Sequence, residues 1–191
     1  MWQGIAGAVA AMALTVAAPT AARASSIVVN GGFETGDFTG WSGTGNTTFD
    51  GVQCPGPNPS VESGNCSAFF GPVGSAGGIQ QTLATTPGGV YEIDFGFLPD
   101  GGNPSSFSAS FGGVTLLSQV NPAGSSTYIN YEFFATATSA SSVLAFSFRD
   151  DPGFMFLDNV SVTSPEPSSM LLLGSGLAGL VGVIRRRTAR R

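Results

Sequence analysis

Along the middle of the chain, apolar side chains recur at every second position. Tyr91, Ile93, Phe95 and Phe97 alternate with Glu92, Asp94 and Gly96; Phe107, Ala109 and Phe111 alternate with Ser106, Ser108 and Ser110; Leu144, Phe146 and Phe148 alternate with Val143, Ala145 and Ser147. A period of two marks a strand with one buried and one wet face, because successive Cβ atoms point to opposite sides of a sheet. The same periodicity predicts further strands from Ser26 to Val29, Thr47 to Val52, Ser67 to Phe70, Ile79 to Thr85, Val114 to Ser118, Tyr128 to Thr138 and Phe154 to Thr163. Turn clusters separate them, among them Pro87-Gly88-Gly89, Pro99-Asp100-Gly101-Gly102 and Asp150-Asp151-Pro152-Gly153. About ten short strands without helical period or internal repeat predict an all-β, antiparallel β-sandwich over residues 25–164.

Both ends of the chain break this pattern. Residues 1–24 are an Ala-rich apolar stretch from Ile5 to Ala18, then Pro19, then Ala22-Arg23-Ala24, which reads as a secretory signal peptide with an A-x-A cleavage site, although no Lys or Arg precedes Ile5. At the other end Pro165-Glu166-Pro167 precedes a charge-free run, Met170 to Ile184, and a basic tail over 185–191. The run predicts a single transmembrane helix of about 22 Å, shorter than the roughly 30 Å hydrocarbon core, so the bilayer must thin or the Arg side chains must snorkel. Five of the seven Arg residues lie in the last seven positions, which places the C-terminus in the cytoplasm and the preceding domain outside.

Composition and charge then remove whole classes of function. The chain of 191 residues has no His, and all seven of its basic residues are Arg. Ser-His-Asp and Cys-His nucleophile systems and His-ligated zinc are therefore excluded. Between Ser25 and Ser164 eleven acidic residues stand against Arg149 alone, a net charge of −10 that would repel a polyanion, so nucleic acid is excluded as a partner. Gly174-Ser175-Gly176-Leu177-Ala178-Gly179 fits G-x-G-x-x-G, but no acidic residue comes after it, so it is no dinucleotide fingerprint. Cys54 and Cys66 are the only cysteines, and an oxidising compartment predicts that they pair.

The three-part tail, Pro165-Glu166-Pro167 followed by SSMLLLGSGLAGLVGVIRRR, resembles the PEP-CTERM sorting signal of exported proteins in Gram-negative bacteria. It is also similar to what is called the ice-binding protein C-terminal domain, a name that describes the tail and not an activity. The resemblance implies an exosortase as processing partner, transient anchoring in the inner membrane, and a final place at the cell surface or in the extracellular matrix. The domain itself, in its opening Val29-Asn30-Gly31-Gly32-Phe33-Glu34-Thr35-Gly36-Asp37 through Trp41 and its closing Phe156-Leu157-Asp158-Asn159-Val160-Ser161-Val162, resembles jelly-roll sandwiches of the carbohydrate-binding-module or galactose-binding-like type. That resemblance implies a structural Ca²⁺ held by Glu34 and Asp158 where the first and last strands meet, with backbone carbonyls completing the shell; Asp37 and Asn30 are further candidate ligands apart from the resemblance, and two ordinary surface acids are the alternative reading. Extracellular polysaccharide is the partner the resemblance points to.

Two further groups are candidates for chemistry. Glu92 and Asp94 share one face of a strand, at a spacing near that of inverting glycosidase carboxylates, and a solvated acidic face has the same appearance. Trp41, Phe69, Phe70, Tyr128 and Tyr131 include the aromatics that could stack on a sugar, although Trp41 and one of the Phe pair are expected in the core. Three readings stay open: a non-catalytic, polysaccharide-binding surface protein, a weak carbohydrate-active enzyme using Glu92 and Asp94, and a coat protein without ligand.

Overall fold

A computed structural model describes residues 25–55 and 60–164. The signal peptide, the sorting motif and the transmembrane helix expected from the sequence lie outside the described residues. Among the described residues no helix is long and apolar enough to cross a membrane.

Ten strands form: β1 (Ser42–Gly45), β2 (Asp50–Gln53), β3 (Ser67–Phe70), β4 (Gly77–Ala84), β5 (Val90–Leu98), β6 (Ser105–Phe111), β7 (Val114–Val120), β8 (Ile129–Thr136), β9 (Ser141–Asp150) and β10 (Met155–Thr163). They pair antiparallel into two five-stranded sheets, in the orders β1-β4-β9-β6-β7 and β2-β3-β10-β5-β8. The period-two faces meet between the sheets as expected. Ile93, Phe95 and Phe97 of β5 face Phe107, Phe146 and Phe148 of the other sheet, all buried, with Phe97 stacked on Phe107 at 3.9 Å and Phe70 on Phe148 at 4.0 Å. Each such ring buries enough apolar area to contribute about 2 to 3 kcal/mol.

The edges of the sandwich differ from the sequence expectation. The segment Ser26 to Val29 is not a strand. It runs along β10, where Ile27 N–H donates to Val162 O (2.8 Å) and Val160 N–H to Gly31 O (2.9 Å), while the buried Gln81 amide clamps both backbone groups of Val29. A side-chain amide there replaces the ladder that a neighbouring strand would supply. Conversely β1, with the sequence Ser-Gly-Thr-Gly, carries no apolar alternation and forms because its backbone pairs with β4 along one sheet edge. The strand expected from Thr47 begins at Asp50, because Asn46 bends the chain first: its Oδ1 accepts from Thr48 N–H and Oγ1, and its Nδ2 donates to Val73 O.

A bulge in β10 sets which of its side chains reach the outer face. Strict alternation would put Leu157, Asn159 and Ser161 on one face, yet Leu157, Val160 and Val162 are all buried. One extra residue between Asp158 and Ser161 resolves the conflict, with Asn159 in the left-handed region (φ 53) that Asn tolerates better than most side chains. Asp158 and Ser161 consequently both lie on the outer face, opposite Gly96 and Asp94 of β5.

Candidate functional site

The outer face of the β2-β3-β10-β5-β8 sheet collects most of the polar chemistry. Register sets Glu92 opposite Phe134, Asp94 opposite Glu132 and Gly96 opposite Asn130. The carboxylates of Glu92, Asp94 and Glu132 thereby approach to within 4.8 Å of one another, the first two half-buried and Glu132 exposed. Asp94 also accepts from Ser161 Oγ at 3.2 Å. Beside them a groove of about 340 Å³ is lined by Asp94, Phe95, Asn130, Tyr131, Glu132 and Asn159. Phe134, 61% exposed, pairs opposite Glu92 and lies outside the groove lining. Sequence spacing pairs Glu92 with Asp94 alone; Glu132 joins them only because β8 lies beside β5.

Glu34 and Asp158 are linked through one loop, each accepting backbone N–H groups between Glu62 and Cys66. Glu34 Oε1 accepts the N–H groups of Asn65 (2.9 Å) and Cys66 (3.0 Å). Asp158, fully buried, accepts Glu62 N–H (3.0 Å) and Ser63 N–H (3.2 Å) on Oδ2 and Asn159 N–H (2.7 Å) on Oδ1. Both acids thus hold the stretch from Glu62 to Cys66, whose last residue the disulfide ties to Cys54. Burial pushes Asp158 up to about 6, against the opposing pull of those three N–H donors, and the Glu62 carboxylate adds to the rise. Glu62 is a site residue that the sequence does not single out. It reaches over Gly96, where a Cβ would lie 1.9 Å from its Oε2, and that buried oxygen has no hydrogen-bond partner. A glycine inside an otherwise alternating strand is the sequence signal for such a close approach. Tyr128, whose hydroxyl donates to Ser60 O at 2.8 Å, covers the same spot, and burial together with the Asp158 charge raises its pKa.

The remaining candidates serve the turn and the core. Asn30 and Asp37 bond within their own turn: Asn30 Nδ2 donates to the carbonyls of Asp37 and Thr39, and the hydroxyl and N–H of Thr39, then Thr35 Oγ1, hold the Asp37 carboxylate below its ordinary pKa. Trp41 is core, stacked on Phe33 with its Nε1–H donating to Asn30 O (3.2 Å), and Phe70 is core as well. Phe69 is half-buried with its ring edge-on to Phe154. Tyr131, opposite Phe95, packs on Phe95 and Phe133 at the edge of the core and accepts from Gln119 Nε2 of the other sheet at 3.0 Å, so its ring is no free platform.

Comparison with known proteins bears on both parts of the chain. The PEP-CTERM protein-sorting motif matches residues 165–187. No curated protein matches the chain. Among solved structures, TmCBM61 in complex with β-1,4-galactotriose is similar at 20% identity with a TM-score of 0.62, covering 73% of this chain and 99% of that one. The CBM22-1 xylan-binding domain of Xyn10C from Paenibacillus barcinonensis is similar at 19% identity and TM-score 0.51, covering 77% and 99%. A cyclase from Fischerella sp. TAU is similar at 18% identity and TM-score 0.53, covering 74% and 97%. The fold is therefore the jelly-roll sandwich of carbohydrate-binding modules, one that also occurs in enzyme chains, and the tail marks the protein for export to the envelope or surface of a Gram-negative cell.

Proposed function

We propose that the protein is an exported, exosortase-processed component of the cell surface or extracellular matrix whose sandwich binds polysaccharide without cleaving it. In this reading the C-terminal helix anchors the chain in the inner membrane with its basic tail in the cytoplasm until the exosortase removes it. The observation that carries the binding assignment is the groove on the outer face of β5, β8 and β10. It holds carboxylates and two carboxamides, which accept and donate to sugar hydroxyls, and on the same sheet face, outside the groove lining and paired opposite Glu92, the exposed ring of Phe134 can stack on the apolar face of a pyranose. Carbohydrate-binding modules among the structural neighbours support it. A general acid needs a carboxyl enclosed by apolar surroundings. Glu132 is exposed and Glu92 and Asp94 are only half-buried, so they are assigned as hydroxyl acceptors and not as a catalytic pair.

The same reading gives Glu34 and Asp158 a structural Ca²⁺. The donor set fits: only oxygen is present, a hard-cation preference, and the buried, unpartnered Oε2 of Glu62 lies on the same face as Asp158. Such an ion would supply the positive charge that Glu62 and Asp158 lack and tie the 60–66 segment to β10.

The test is a glycan array probed with the full chain in detergent. Retention on one class of neutral polysaccharide without release of oligosaccharide is expected, lost in Phe134→Ala and weakened in Asp94→Asn. Release of oligosaccharide would transfer the assignment to the enzyme reading, and retention unaffected by both substitutions would remove the groove from it.

A further inference from the structure

A second carboxylate pair lies apart from the groove and from the Glu34–Asp158 region, between the β5–β6 loop and the β9–β10 hairpin. Asp150 ends β9. It continues the inward series of Leu144, Phe146 and Phe148, so the alternation that builds the core carries a carboxylate inside as well; Asp150 is 0% exposed and neither of its oxygens has a hydrogen-bond partner. Asp100, on the exposed β5–β6 loop, reaches toward it. A Cβ on Gly102 would lie 2.1 Å from Asp150 Oδ1 and 3.2 Å from Asp100 Oδ1, and one on Gly153 would lie 1.9 Å from Asp100 Oδ2 and 3.0 Å from Asp150 Oδ2. The two carboxylates thus converge over two glycines, in space that any larger residue would fill.

No side-chain cation answers them. Arg149 is the one basic residue among the described residues, and its guanidinium is committed to Asp151 Oδ2 by bonds of 2.9 and 2.6 Å. Asp151 Oδ1 is taken by Gly74 N–H (2.7 Å), and Asp100 Oδ1 by Gly102 N–H (2.7 Å). An unpaired buried carboxylate is strongly unfavourable unless a cation or a proton neutralises it.

We propose that Asp100 and Asp150 form a Ca²⁺ site that joins the β5–β6 loop to the β9–β10 hairpin. Two carboxylates match a dication in charge, and the absence of nitrogen and sulfur donors selects a hard ion. Asp100 leaves the site open to solvent on one side, which gives the ion a path in and lets water complete its shell. The ion would tie together the tips of two loops whose bases are already joined by the Ser105–Asp150 and Leu98–Phe156 register and by Asp151 N–H donating to Pro104 O (3.1 Å).

The experiment is calcium titration calorimetry on the chelator-treated full chain in detergent, carried out on wild type and on Glu34→Gln/Asp158→Asn, which sets aside the other region. The double variant is expected to bind one Ca²⁺. Adding Asp100→Asn or Asp150→Asn should weaken that binding by roughly a hundredfold or more, the consequence of deleting a charged ligand. Asp100→Asn changes an exposed position and serves if Asp150→Asn does not fold. In the wild-type background the same single change should lower the stoichiometry by one ion, which keeps the test valid if the double variant does not fold. Absence of binding in a folded double variant, or an affinity and stoichiometry indifferent to Asp100→Asn, would overturn the site and leave a carboxyl pair sharing a proton.

Discussion

Asp50 offers a direct measure of what a buried charge costs this sandwich. It opens β2 opposite Phe70, a core residue, so its carboxylate points between the sheets into a cavity of about 200 Å³ lined by Phe38, Gly43, Thr47 and Ile79. Neither oxygen makes a hydrogen bond, and burial pushes the group up to about 6, with the nearby Gly71 N–H opposing. The folded protein therefore keeps a proton that the unfolded chain, titrating near 3.8, has already released. Stability from this group is full below about pH 4 and is lost as pH rises through about 6. The raw difference between those values corresponds to about 3 kcal/mol, which relaxation and water entering the adjoining cavity reduce to about 1 to 1.5 kcal/mol. Asp50→Asn keeps the shape and removes the charge. At pH 7 the variant should melt about 3 to 6 °C above wild type, and the two curves should converge near pH 4. Thermal melts followed by circular dichroism from pH 4 to 8 in EDTA isolate the effect, because every other acid titrates alike in both proteins. A variant less stable than wild type at pH 7, or a gap that does not change with pH, would refute the reasoning.

Replacing both Cys54 and Cys66 by Ser opens a loop with a sequence separation of 12, and urea denaturation should show a loss of up to about 3 kcal/mol; no change would mean that the Glu34 and Asp158 anchors alone confine the 60–66 segment. Pro165-Glu166-Pro167 changed to three Ala should leave export intact and block tail removal, which intact-mass spectrometry of the secreted protein reads directly. Recovery of wild-type protein with Arg191 still attached, in cells with active exosortase, would contradict the sorting reading. Saturating Ca²⁺ should raise the melting temperature of wild type by several degrees, and Glu34→Gln and Asp158→Asn should each reduce that rise while leaving the chelated protein folded; equal rises in all three proteins would exclude these two acids as ligands.

The strands are legible because their cause is local. Alternation in Tyr91–Phe97, Phe107–Phe111 and Leu144–Phe148 identifies a buried face without reference to any partner, and the tail motif and the cysteine pair are equally local in kind. β1 is not legible, because Ser-Gly-Thr-Gly has no buried face of its own and exists through its pairing with β4. Local signals for the site are present but incomplete. Gly96 within an alternating strand and the spacing of Leu157, Val160 and Val162 announce a close approach and a bulge, without saying what approaches.

Which acids share a site was decided by the tertiary structure alone. Glu132 joins Glu92 and Asp94 because β8 is the neighbour of β5, Glu62 overlies Gly96 because Glu34 and Asp158 hold its loop, and Asp150 meets Asp100 across 50 positions of sequence. Alternation reports only which side of a strand a residue occupies. The order of strands in a sheet comes from the joint burial of all the apolar faces at once, a property of the whole chain that no window of the sequence contains. The sequence by itself therefore determined the strand-built class, the export tail and the cysteine bridge, while the packing of the two sheets determined where the carboxylates converge.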